Sequence, residues 1–404
     1  MIEYPRLLPL WAFSEVPGKD VAPMVWVTGA RQVGKTWIVS RLKGNYFNWD
    51  TVETRKAFAK DRYFFRSDRR LVIFDEIHKR RDWKKILKGY YDSPDRKEDF
   101  IVTGSGKMDQ YLRRGDSLQG RYDLYHLWPI TWDEFRSSGG PGLVPARPRN
   151  WSEWAPGEKP VSDHDLIRLG GFPNPLREGS ERRLRRWQDQ YLDRLVREDT
   201  RDFSAVQRLD QLDLLARILP ERVGSPISVL SLSEDIEAST IAVKSWLRLF
   251  EVLYLGFLIR PYHRKIHRAV KREPKWYFYQ WSFVENPAAR FENYIAVQLA
   301  AACSAWSEQG FGRWELFYLR DQDRREVDFL LCKDLQPQAL IEAKASEQPW
   351  PSALHAYCKK LQVPGFLVYP YGADKKTNVV RRIPPAGWIV PSSRFLAGLL
   401  ADQL

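Results

Sequence analysis

Residues 29–36 read Gly29-Ala30-Arg31-Gln32-Val33-Gly34-Lys35-Thr36, a complete G-x-x-x-x-G-K-[ST] pattern that follows the apolar run Met24 to Thr28 and leads into Trp37. Each residue type has a task in such a loop. Glycines let backbone N–H groups close on phosphate oxygens, the Lys35 ammonium reaches the β and γ phosphates, and the Thr36 hydroxyl at a helix start can ligate Mg²⁺. A tight strand-to-helix turn with an incidental lysine is the plain alternative. Further on, Leu71-Val72-Ile73-Phe74 is an apolar run ending in Asp75-Glu76. Asp75 can hold Mg²⁺ through water, and Glu76 can orient or deprotonate an attacking water. An acid pair at a strand end can also be a solvated turn. A third run, Phe100 to Thr103, ends in Gly104-Ser105, where a hydroxyl can sense the γ phosphate or can simply belong to a turn.

A second set lies near the other end. Period-two alternation in Glu326 to Leu331 places Asp328 opposite Val327, Phe329 and Leu331, and in Ala339 to Lys344 it places Glu342 and Lys344 together, opposite Ile341. If these strands pair with Asp328 beside Glu342, two carboxylates and an ammonium converge. Such a set can bind Mg²⁺ and activate a water for phosphodiester hydrolysis, with Lys344 steadying the phosphate, or it can be an ion-pair cluster.

The elements that must position these residues follow from patterning. Short apolar runs (Met24 to Thr28, Tyr46 to Trp49, Leu71 to Phe74, Phe100 to Thr103, Leu124 to Leu127) are separated by helix-compatible intervals, the pattern of a parallel sheet covered on both faces. Breakers crowd residues 137–160 and mark a boundary or long insertion. Glu181 to Arg201 is a charged helical stretch. Val243, Trp246, Leu247, Phe250, Leu253 and Tyr254 form one helical stripe over 240–255. Strands at Gly256 to His263 and Trp276 to Gln280 would flank a basic tip, Arg264 to Arg272, and helices with a basic hairpin read as a winged helix. A helix over 290–305, strands at 315–319, 326–331 and 339–343, a helix near His355 and a strand at 366–369 make a second α/β unit. The expected fold is therefore α/β, with a parallel phosphate-loop domain at 1–160, a helical and winged-helix domain at 161–282, and an α/β domain at 283–404.

With 64 Lys and Arg against 51 Asp and Glu, the formal net charge is +13, which favours a polyanionic partner. Cations interleave with aromatics over 263–276, so DNA is the expected partner there, a solvated hairpin tip being the alternative. Cys303, Cys332 and Cys358 show no paired spacing, which argues for a reducing compartment and against structural zinc with His355. With no apolar run of membrane-spanning length and no secretory leader pattern, the expectation is a cytoplasmic protein without a membrane partner.

The strings Thr-Gly-Ala-Arg-Gln-Val-Gly-Lys-Thr at 28–36, Ile-Phe-Asp-Glu-Ile-His at 73–78, Thr-Gly-Ser at 103–105, and Leu-Gln-Gly-Arg-Tyr at 118–122 leading to Pro-Ile-Thr-Trp-Asp-Glu-Phe at 129–135 together resemble a group of archaeal and bacterial AAA+ ATPases. In that group an uncharacterised carboxy-terminal domain follows the ATPase domain. The resemblance extends to Gly170-Gly171-Phe172-Pro173, similar to a Gly-x-Pro element in which the proline sits near the adenine. It implies that Arg121 meets the γ phosphate, in its own or a neighbouring subunit, and that an oligomeric ring is the working form. The order Asp328, Glu342, Lys344 resembles the PD-(D/E)XK nuclease signature, and Glu292 matches the acidic position that this family supplies from a preceding helix. Gln280 stands where the resembled family usually has aspartate. The reading is a Mg²⁺-dependent ATPase that couples ATP hydrolysis to DNA. Two others stay open: a signalling ATPase acting through protein partners, and a nucleotide-gated DNA nuclease.

Overall fold

The computed structural model describes residues 23–66, 70–104, 118–137, 148, 150–156, 161–198, 200, 208–262, 273–323, 325–372 and 379–399. They form two compact units. One holds the described residues up to Trp128 together with Val252–Tyr254, and the other holds Pro129–Glu251 with the described residues from Leu255 onward.

In the first unit the order is β1 (Met24–Gly29), α1 (Lys35–Val39), β2 (Asn45–Asn48), α2 (Val52–Lys60), β3 (Leu71–Asp75), α3 (Trp83–Tyr91), β4 (Asp99–Thr103) and β5 (Tyr122–Leu127). All five strands run parallel, in the order β2-β3-β4-β1-β5. A parallel strand is covered on both faces, which is why β1 is a continuous apolar run with every residue buried. Helix α3 turns Trp83, Leu87 and Tyr90 inward as one stripe. The Trp83 ring centroid lies 5.3 Å from Trp26, and Phe74 stacks 5.9 Å from Phe100. Because β4 runs between β1 and β3, the carboxyl ends of three neighbouring strands present Gly29, Thr103 and Asp75 side by side.

The second unit opens with α4 (Trp132–Arg136), α5 (His164–Leu169), α6 (Pro173–Glu178), α7 (Glu181–Arg197), α8 (Leu209–Ile218), α9 (Val229–Asp235) and α10 (Thr240–Val252). Helix α4 starts with a capping box between Thr131 and Glu134. There follow β6 (Gly256–Pro261), β7 (Lys275–Phe278), α11 (Pro287–Glu308), β8 (Trp314–Arg320), β9 (Glu326–Lys333), β10 (Gln336–Ala343), α12 (Ser352–Leu361), β11 (Gly365–Tyr369), β12 (Arg381–Ile383), β13 (Gly387–Pro391) and α13 (Ser392–Ala397). Their mixed sheet has the order β12-β13-β11-β10-β9-β8-β6-β7. The hairpin expected of a wing is present as the antiparallel pair β6 and β7. It continues the carboxy-terminal sheet, because β6 pairs in parallel with β8 through Arg260↔Phe317 and Pro261↔Tyr318. The basic tip, residues 263–272, lies outside the described residues.

Helix α11 carries apolar side chains nearly all round, from Phe291 to Trp306, as a core helix must. Asn286 caps it, accepting from the backbone N–H groups of Ala288 and Ala289 at 2.9 and 3.1 Å. Gln280 is buried and donates to the Leu169 carbonyl at 3.0 Å, so its amide serves the packing of α5.

Ahead of α5, Asp163 is fully buried. Its Oδ2 accepts from the Ser392 hydroxyl at 2.5 Å and from the Tyr294 hydroxyl at 3.4 Å. No cation pairs with it in these contacts, and burial pushes its carboxyl from the ordinary 3.8 up to about 7. A carboxyl whose pKa is raised by folding holds its full stabilisation below pH 4 and loses it as pH rises towards 7. Asp163→Asn, always neutral, is therefore expected to match the native chain near pH 4 and to melt a few degrees higher at pH 8. Thermal melts across that range check this, and a melting difference that does not change with pH would refute it.

Candidate active site

The phosphate loop is shaped by its neighbours in the sheet. Gly29 closes β1 at φ +146°, and a Cβ there would stand 2.4 Å from the Leu127 carbonyl oxygen, so this turn admits only glycine. Gly34 is the N-cap of α1, and the Ile38 N–H donates to its carbonyl at 3.1 Å. Lys35 is buried, and its ammonium donates to the carbonyls of Gly29 at 2.9 Å and Ala30 at 2.8 Å. The cation is thus held over the loop, ready to exchange carbonyl partners for phosphate oxygens. Ala30 and Val33 are buried against the sheet, while Arg31 and Gln32 face outward and Gln32 takes a left-handed φ of 63°. The Trp37 ring carries the Arg41 guanidinium at 3.8 Å.

Asp75 is fully buried at the end of β3 and is surrounded by hydroxyls. Thr36 donates to its Oδ2 at 2.8 Å, Tyr46 to the same oxygen at 2.6 Å, and Thr103 to Oδ1. A hydroxyl and a carboxylate joined in this way are the oxygen pair that suits Mg²⁺ carried in by nucleotide phosphates, so the residues present fit that ion. When bound, the ion would neutralise charge between the β and γ phosphates.

Glu76 follows in the left-handed region, φ 59°, at the start of the 3-10 turn Ile77–Lys79. That conformation is strained for a residue with a Cβ and is typical of functional positions. Its Oε2 lies 3.7 Å from His78 Nε2 and 3.5 Å from Lys79 Nζ, and Lys79 is itself held by Asp50. Burial raises the Glu76 carboxyl above the ordinary glutamate value; Lys35 and Lys79 pull against that shift, and Asp75 reinforces it.

Arg121 is not brought to the loop of its own chain. β5 pairs in register with β1, Met24 opposite Tyr122, so Arg121 sits at the amino end of the sheet. The phosphate loop is at the other end, about 20 Å away along the strand. There Arg121 forms a two-pronged ion pair with Asp92, Nε to Oδ1 at 2.7 Å and a terminal nitrogen to Oδ2 at 3.1 Å. Pro173 belongs to the second unit, where it opens α6. Ser105 lies outside the described residues.

In the second unit Glu292, Asp328, Glu342 and Lys344 do meet. The Asp328 N–H donates to Glu342 Oε2 at 3.3 Å, the Ala343 N–H donates to Asp328 Oδ2 at 3.0 Å, and Lys344 Nζ lies 2.6 Å from Glu342 Oε1. Burial, reinforced by Asp328, raises the carboxyls of both Glu292 and Glu342. Beside them opens a cavity of about 820 Å³, lined by Arg217, Gly224, Asn286, Glu292, Lys344 and Gln348. Gly224 (φ +81°) lets the backbone pass close to Glu292, whose Oε2 would be 2.9 Å from a Cβ there. The set also has a member that the sequence reading placed in the solvent-facing basic wing: Lys275 of β7, which is buried, its ammonium enclosed by Glu326, Glu292 and Asp328. Burial alone would lower its pKa, and the carboxylates raise it instead. Among the described residues no group of three or more His, Cys, Asp and Glu side chains is arranged to hold a metal ion.

Comparison with known proteins gives three matches along the chain. Residues 21–136 match the family model described as an AAA domain, residues 163–286 the domain of unknown function DUF8612, and residues 288–387 the domain of unknown function DUF4143. Two uncharacterised proteins, one from Mycobacterium bovis and one from Mycobacterium tuberculosis, are each 22% identical over 348 residues, spanning 81% of this chain and 71% of their own. The first unit thus carries an AAA-type P-loop domain, which implies nucleotide binding and suggests ATP hydrolysis as its general activity. No helix among the described residues is long and apolar enough to cross a membrane.

Tyr46 escapes sequence reasoning because its role depends on which strand lies beside β3; an aromatic in an edge strand next to the acid pair is its only trace. Removing its hydroxyl takes one of three donors from Asp75 and leaves the loop intact. Tyr46→Phe is expected to raise the Mg²⁺ needed for half-maximal ATP turnover roughly two- to tenfold, from the ~0.5–1.5 kcal/mol of a hydrogen bond, with nucleotide affinity in EDTA unchanged. Mg²⁺ titrations of turnover and fluorescent-nucleotide binding test the two halves of this statement.

Proposed function

We propose that the chain is a Mg²⁺-dependent ATPase whose nucleotide cycle is coupled to DNA. The observation that carries the ATPase reading is the Thr36 hydroxyl bonded to Asp75, 2.8 Å, with Glu76 next in the chain. Lys35 and the loop N–H groups hold the β and γ phosphates, and Thr36 and Asp75 hold the ion. Glu76 orients the attacking water and accepts its proton. DNA as the partner rests on the +13 charge and on the cations of residues 263–272; Lys275 and Trp276, expected in the same wing, are buried and take no part.

The position of Arg121 supports assigning it to a neighbour's nucleotide, since its own loop is a strand's length away. A homo-oligomer then completes each site, with the guanidinium stabilising charge as the γ phosphate departs. Release from Asp92 would accompany assembly.

ATP turnover measured alone and then with single-stranded, double-stranded and branched DNA tests the reading. DNA is expected to stimulate turnover, and Lys35→Ala and Glu76→Gln are each expected to abolish it. Nucleotide binding without any DNA response at low salt would favour the protein-partner switch. For the shared site, Arg121→Ala and Lys35→Ala chains, each inactive alone, are expected to regain turnover when mixed, because one interface then joins an intact loop to an intact arginine.

A further inference from the structure

The carboxylate cluster of the second unit is built round a lysine that the nuclease-like pattern does not include. The Lys275 side chain is 0% exposed, and its Nζ lies 2.6 Å from Glu326 Oε1, 3.4 Å from Glu292 Oε1 and 3.6 Å from Asp328 Oδ1. Three carboxylates from α11 and β9 thus converge on one ammonium, which has three donors to give and no acceptor. We infer that Lys275 is the resident cation of this cluster and takes the place of a divalent metal ion.

The surrounding contacts fix it there. On its backbone side, β7 is held on both edges: Lys275 pairs with Ile259 of β6 and bridges Pro226, and the Ile227 N–H donates to the Pro274 carbonyl at 2.8 Å. The backbone from which the side chain springs is thus fixed in the sheet. On the acid side, the second oxygens of Asp328, Glu342 and Glu326 are engaged as well. Asp328 Oδ2 takes the Ala343 N–H, Glu342 divides its oxygens between Lys344 and the Asp328 N–H, and Glu292 Oε1 also takes the Tyr277 hydroxyl at 2.7 Å. Arg320 reaches Glu326 Oε2 at 3.5 Å. Lys275, Lys344 and Arg320 together set three positive charges against the four acids Glu292, Glu326, Asp328 and Glu342, so most of the charge that a metal ion would balance is balanced by the chain. A divalent ion that needs oxygens at about 2.0–2.6 Å and the ammonium cannot share the space.

Mn²⁺ binding to the full-length chain without nucleotide, followed by electron paramagnetic resonance, tests this. The native chain and Asp328→Asn are expected to bind Mn²⁺ identically. Lys275→Met is expected to gain a Mn²⁺ site at least about tenfold tighter than any in the native chain, as three carboxylates lose their cation, and adding Asp328→Asn is expected to remove it. A Mn²⁺ site in the native chain that Asp328→Asn abolishes overturns the inference, and so does a folded Lys275→Met chain that gains none. If Lys275→Met does not fold, the comparison of the native chain with Asp328→Asn decides alone. None of these measurements depends on the ATPase reading.

Discussion

A buried carboxylate must be hydrogen-bonded or paired, and the first unit is organised round one that is hydrogen-bonded by neutral groups. Asp75 takes its donors from Thr36 on α1, Tyr46 on β2 and Thr103 on β4, so the helix after the phosphate loop and the two strands flanking β3 all have to be in place for it to be satisfied. The strand order supplies this, because β3 runs between β2 and β4, and β4 next to β1. Hydroxyls satisfy the oxygens without cancelling the charge. The negative field stays available to a divalent ion brought in with phosphates, which a lysine at the same position would have consumed.

The second unit meets the same requirement in the other way. Glu292, Glu326 and Asp328 are drawn together by an ammonium on a strand paired along both edges, and with Arg320 and Lys344 most of the charge is balanced within the chain. Breaking such a group by removing one partner leaves uncompensated charge, which makes it a strong determinant of which strands meet even where it adds little net stability. Here it joins β7, α11 and β9, and so seats the β6–β7 hairpin on the carboxy-terminal sheet. The basic segment that follows β6 in the chain therefore starts and ends on a fixed base.

What could be read in the sequence was whatever depended on local pattern. Apolar runs placed β1 to β4 within a residue or so of their observed ends, and the stripe Val243, Trp246, Leu247, Phe250 marked α10, which ends at Val252, short of the expected 255. The convergence of Asp328 and Glu342 followed from period-two alternation once β9 and β10 pair, and they do. What could not be read depended on partners distant in sequence. Lys275 sat inside a run of cations and aromatics that suggests a solvent-facing wing, and only the pairing of β6 with β8 buries it. Arg121 was placed by motif, while the register of β5 on β1 decides which end of the sheet it occupies. Strands β12 and β13 are short and flank a Pro-Pro-Ala-Gly segment, so neither length nor alternation distinguished them from loop.

Glu76 shows how the two kinds of information combine. Its place after an apolar run makes it the candidate for the role beside the phosphate, but the sequence does not show that the backbone there is left-handed, nor that the side chain is largely withdrawn from solvent. Both follow from the sheet: the Glu76 N–H donates to the Thr103 carbonyl at 3.2 Å, which continues the β3–β4 ladder by one residue and forces the chain to turn sharply into the 3-10 segment. A carboxyl held in that turn has little freedom to follow solvent, and burial raises its proton affinity. Under the proposed reading, a base of raised pKa accepts a proton from water more readily than an exposed glutamate would, and Lys35 and Lys79 pull against the shift. The strain at Glu76 and the hydroxyl cage round Asp75 are thus two consequences of one arrangement, the insertion of β4 between the strand of the phosphate loop and the strand of the acids.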